Sequence, residues 1–128
     1  MRTFLLLSFL IAGLSAAEEA AKIKSLATKT MGAWSVEIIV PKPPVAGKPL
    51  DVDLVLKPAA TAPKAVRLWI GAANAKGSVK VKAEPEAPGA YCVGVDVPNP
   101  LPADAQLWIA IEASDGTVSK EGLNLPGK

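Results

Sequence analysis

The sequence predicts an all-β fold, a two-layered antiparallel sandwich of about seven strands, on three observations. From Trp34 onward apolar residues recur at every second position, the period of a strand with one buried face. Nearly all of the 12 prolines fall between those alternating stretches, where a residue with fixed φ and no N–H marks a turn. Nothing between the stretches carries the 3.6-residue period of a crossover helix, so antiparallel neighbours are expected rather than βαβ units.

The chain opens with Arg2, an apolar run over residues 4–14 and the small residues Ser15-Ala16-Ala17. That order is expected of a secretory signal peptide cleaved after residue 17. It predicts a periplasmic or secreted protein, attached to a membrane only indirectly or through an uncleaved leader. Residues 18–33, EEAAKIKSLATKT and the three that follow, have no clear period. They are read as a mobile segment or as one that covers the sandwich.

The sandwich is expected over residues 34–122. In WSVEIIV, Trp34, Val36, Ile38 and Val40 take one face and Ser35 and Glu37 the other. In LDVDLVLK, Val52, Leu54 and Leu56 point to the core against Asp51, Asp53 and Lys57. AVRLWIG turns Val66, Leu68 and Ile70 inward if Arg67 stays in water. GSVKVKA buries Val79 and Val81 against Ser78, Lys80 and Lys82, and AYCVGVDV buries Tyr91, Val93, Val95 and Val97 against Cys92, Gly94 and Asp96. QLWIAIEA sends Leu107, Ile109 and Ile111 inward, and a short last strand is expected around residues 117–120, before a tail over 123–128. The spacing and turn chemistry fit a single immunoglobulin-like sandwich.

Composition excludes several classes of function. The chain has 14 basic and 12 acidic residues, a net charge of +2, and its cations are scattered singly. No basic run suggests nucleic acid as a partner. Histidine is absent and Cys92 is the sole cysteine, which removes the commonest general base and metal ligand and any disulfide within the chain. Asp51 and Asp53 share a strand face at a spacing that a hard cation tolerates, but no acidic loop accompanies them, and they read as a solvated face. Ser114-Asp115-Gly116 reads as a turn, since no base accompanies the serine. No enzyme activity, cofactor or metal site is expected.

The two Leu-Trp-Ile triplets carry the functional expectation. The alternation that buries the aliphatic residues puts Trp69 and Trp108 on the outer side of their strands, Trp69 beside Arg67. With the AYCVGVDV strand between them, Cys92 and Gly94 would leave a shallow trough between two indoles. Burying a tryptophan removes roughly 150–250 Å² from water, an upper bound of about 4–6 kcal/mol, so a cover is expected. It is supplied by residues 18–33 or the tail of the same chain, or by a protein partner, a second copy or an apolar ligand. The expected binding residues are therefore Trp69, Trp108, Arg67, Cys92 and Gly94. Arg67 stacked on Trp69 is a purely structural alternative, and Cys92 is either a small hydrophobe under the cover or half of an intermolecular disulfide.

GAWSVEIIVPKPPVAGKPLDVDLVL and PGAYCVGVDVPNPLPADAQLWIAIEASDG, within residues 30–116, resemble the YtkA-like and FixH-like family of small extracytoplasmic immunoglobulin-like domains. The resemblance implies an accessory role in copper handling or oxidase assembly. The chain departs from the family's Met- and His-bearing segment, having GAANAKGSVKVKA there, and its soft ligands beyond the leader reduce to Met31 and Cys92. The expected function is an exported, non-catalytic binding or accessory module of an envelope complex, with copper or oxidase-assembly chemistry as the alternative.

Overall fold

The computed structural model describes residues 25–126, so the expected leader lies outside the described residues. Nine strands are present among these residues: β1 Ser25–Met31, β2 Trp34–Ile39, β3 Pro49–Lys57, β4 Ala65–Gly71, β5 Val81–Lys82, β6 Pro85–Ala87, β7 Ala90–Asp96, β8 Gln106–Glu112 and β9 Val118–Asn124. They form a five-stranded sheet in the order β1-β2-β3-β7-β6 and a four-stranded sheet in the order β5-β4-β8-β9. All neighbours are antiparallel. Apart from β1, this is the ABED and C′CFG arrangement of an immunoglobulin-like sandwich. Among the described residues there is no helix.

Alternation builds the core. Val36 and Ile38 of β2, Val52, Leu54 and Leu56 of β3, and Val95 of β7 meet Val66, Leu68 and Ile70 of β4 and Leu107, Ile109 and Ile111 of β8. Each is almost fully buried, and a side chain of this size stabilises the fold by about 1.5–3 kcal/mol through burial. Trp34 closes the end of the sandwich, donating its indole N–H to the Thr61 carbonyl at 2.8 Å. No buried side-chain nitrogen or oxygen among the described residues lacks a partner.

Three expectations are corrected by the strand order. β4 and β8 are direct neighbours, Trp69 facing Trp108 across the ladder, whereas β7 lies in the other sheet between β3 and β6. GSVKVKA is not the full strand that its alternation implies; its pairing is confined to Val81 and Lys82, where it forms the edge beside β4. The chain then crosses to β6, a three-residue strand begun by Pro85, before entering β7. Val79 is not buried but 55% exposed, because the ladder has not yet begun at its position.

The ends of the chain also settle differently. β1, inside the expected N-terminal segment, pairs with β2 through a hairpin whose turn holds Gly32 at φ 61°. It therefore extends the five-stranded sheet at its edge and covers neither outer face. Leu123 and Leu125 of the expected tail are buried in the core.

Candidate functional site

The outer face of the four-stranded sheet carries the aromatic layer. Trp69 and Trp108 are directly opposed on β4 and β8, and their rings stack with centroids 6.4 Å apart and planes 14° from parallel. The Lys80 ammonium sits 5.0 Å from the Trp69 ring centre, and that of Lys120 sits 5.7 Å from the Trp108 ring centre. Across the sheet the order is cation, indole, indole, cation, an arrangement that the negative ring faces favour.

The tryptophans lie outside the sandwich, as the alternation implies, yet Trp69 is only 2% exposed. Among the described residues its cover is the loop between β4 and β5, together with Trp108 and Lys80. Three consecutive carbonyls of that loop accept hydrogen bonds from the face: Gly71 from the Trp108 indole at 3.0 Å, Ala72 from the Trp69 indole at 2.7 Å, and Ala73 from the Lys120 ammonium at 3.1 Å. Ser78 returns to donate its hydroxyl to the Ile70 carbonyl at 2.7 Å. The loop is thereby pinned at both ends.

Gly71 makes that return feasible. Its φ is 148°, and a Cβ there would run into Ser78 Oγ, so only glycine fits the corner. Gly71→Ala is expected to destabilise the protein by about 1–2 kcal/mol, read as a lowered urea midpoint at unchanged slope.

The remaining expected site residues do not assemble with the tryptophans. Arg67 points outward on β4 but pairs with Glu112 at 3.3 Å, where Lys64 joins at 3.7 Å. The cation over Trp69 is Lys80 instead. Cys92 and Gly94 belong to β7 and face outward from the opposite sheet, so they form no trough between the indoles. The small residue that admits an indole is Gly122 of β9, opposite Trp108: a Cβ there would lie 2.7–2.9 Å from three ring atoms. The signal for it was a lone glycine inside the VSKEGLN strand, since strand glycines mark a close approach.

Cys92 is exposed and faces Asp53 across the β3–β7 ladder. A hydrogen bond to the Asp53 carboxylate, partial desolvation and the nearby charges of Asp53, Glu86 and Asp51 push its thiol up to about 11. The sign follows directly: at pH 8 less thiolate is present than for an ordinary cysteine, so alkylation is slow. Iodoacetamide at pH 8 is expected to react at least about tenfold more slowly than with an unstructured cysteine peptide. Asp53→Asn, which removes the charge, is expected to recover most of that rate.

Met31 is buried on the core side of the five-stranded sheet and Cys92 is exposed on its outer side, so the two do not converge on one ion. Among the described residues no group of three or more His, Cys, Asp and Glu is placed to hold a metal. A groove of about 530 Å³ runs between the β3–β4 loop and the β6–β7 turn, lined by Ala59, Ala62, Pro85, Pro88 and Tyr91 with Glu86 at its rim. Its lining is mostly apolar and offers one carboxylate. No protein-family model, curated protein or solved structure matches the chain.

Proposed function

We propose that the chain is an exported, non-catalytic binding module that joins an envelope or membrane-associated assembly through the outer face of its four-stranded sheet. The observation that carries this reading is the ordered row of Lys80, Trp69, Trp108 and Lys120 on that face. A surface whose side chains are already held by stacking and by three loop carbonyls loses little conformational freedom when a partner covers it. Tryptophan is among the residues that concentrate binding energy at protein contacts, and the half-buried Trp108, backed by Trp69 and flanked by Lys120, is the indole this face offers to a partner. The exported location rests on the Arg2, apolar-run and Ser-Ala-Ala pattern of the leader.

The test is site-specific photocrosslinking in cells. Ala110 lies two residues beyond Trp108 on the same outward side of β8, and a photoreactive residue there leaves the indoles intact. Irradiation is expected to yield a discrete higher-mass adduct containing the chain. Absence of any adduct from Ala110, with the variant folded and exported, overturns the reading.

A further inference from the structure

The net charge of +2 conceals a separation of charge between the two faces. The strands of the five-stranded sheet send Glu37, Asp51, Asp53, Glu86 and Asp96 to its outer face, around the small residues Cys92 and Gly94. Among the described residues the one cation these strands point outward is Lys57, at the end of β3. The four-stranded sheet does the reverse. Arg67, Lys82 and Lys120 point outward from β4, β5 and β9, with Lys80 and Lys64 beside them, against Glu112 on β8 and Glu84 next to Lys64 and Lys82.

Pairing within each face leaves this asymmetry in place. Glu112 is already held by Arg67 and Lys64, whereas Lys80 and Lys120 rest on indole rings, which attract a cation without neutralising it. Packed sheets lie about 10 Å apart, close to the screening length of physiological salt. Each face therefore presents its own sign to an approaching molecule.

We propose that the cationic aromatic face of one chain docks on the acidic face of a second copy, so that the protein associates head to tail through its two flat sides. The proposal rests on the reading of the four-stranded face as the contact surface and names its partner. The complementarity is chiefly of sign: the half-buried Trp108 and the ammonium groups of Lys80 and Lys120 meet a sheet whose central strand presents Asp51 and Asp53 directly beside the small residues Gly94 and Cys92. Because the two surfaces are different patches of one molecule, the contact is heterologous. It extends beyond a pair unless the rotation closes a ring.

Charge reversal tests this. Sedimentation velocity of the purified protein over a concentration series is expected to show self-association at about 0.02 M salt that disappears at about 0.5 M. Lys80→Glu/Lys82→Glu cancels the excess of cations on the four-stranded face, and Asp51→Lys/Asp96→Lys cancels the excess of carboxylates on the five-stranded face, so each variant keeps only one charged side. Each variant alone is expected to remain monomeric at low salt, and an equimolar mixture of the two is expected to associate again. Circular dichroism melts confirm that both are folded, and recovery in the mixture itself excludes simple misfolding. A wild-type protein that stays monomeric at low salt overturns the proposal. So does association that persists in either variant alone, that high salt does not weaken, or that the mixture does not restore. Flotation with vesicles carrying anionic lipid, lost in Lys80→Glu/Lys82→Glu while the wild type stays monomeric, assigns the face to a membrane and likewise overturns it. Failure here with adducts still formed at Ala110 leaves the binding-module reading standing, whereas absence of adducts removes both.

Discussion

Replacing Trp69 by alanine is expected to cost about 3–5 kcal/mol of stability, the range for truncating a fully buried tryptophan. The magnitude follows from the 2% exposure of a ring that lies outside the two-sheet core. Trp108 on one side, Lys80 on the other and the β4–β5 loop above give it the environment of an interior residue. The substitution also removes the donor that engages the Ala72 carbonyl at 2.7 Å, loosening the loop that shields the face. Trp108→Ala is expected to be milder, since Trp108 is only half-buried. Chemical denaturation of the two variants beside wild type measures both, and a loss under about 1 kcal/mol for Trp69→Ala would contradict its assignment as a buried residue. Binding at this face is accordingly better probed at Ala110, Lys80 and Lys82 than at the indoles, whose loss changes the fold first.

The second large effect is expected at Gly122. Its backbone needs no unusual φ, so the requirement for glycine is one of space alone. The Trp108 six-membered ring lies across it, and a methyl would sit 2.7–2.9 Å from three of the ring's carbons. The ring cannot easily retreat, because its N–H is tied to the Gly71 carbonyl and its other flank meets Trp69. Gly122→Ala is therefore expected to destabilise by about 2–3 kcal/mol, in the upper part of the range for overpacking. In the Trp69→Ala background the same change is expected to cost at least about 1 kcal/mol less, since the vacated space lets Trp108 tilt away. Full additivity in that double-mutant cycle would mean that the indole is not the group a Gly122 methyl meets.

Alternation made the faces legible and left the neighbours undetermined. Trp34, Val36 and Ile38 point inward, and Trp69 and Trp108 outward, as the period of two requires. Which strand lies beside which depends on pieces too short to show a period. Val81–Lys82 and Pro85–Ala87 are two- and three-residue strands that carry the chain from the four-stranded sheet to the five-stranded one, so the AYCVGVDV strand expected between the two tryptophan strands lies in the other sheet. Cys92 and Gly94, expected in one site with the tryptophans, therefore belong to the far side. The cover was missed for a related reason. AANAKG has turn composition, and nothing in composition says that the carbonyls of Gly71, Ala72 and Ala73 fold back over a sheet face. The charge separation was hidden because parity along a strand reveals a face only once sheet membership is known.

The sequestering of the indoles gives the protein an optical property. Trp34 and Trp69 are shielded from water and Trp108 is partly so, and all three N–H groups are engaged by backbone carbonyls. Native emission is therefore dominated by dry indoles. Trp34 reports on the interior and the stacked pair reports on the loop above it, so a red shift that precedes loss of the far-ultraviolet β signal marks the shield lifting while the sandwich is still intact.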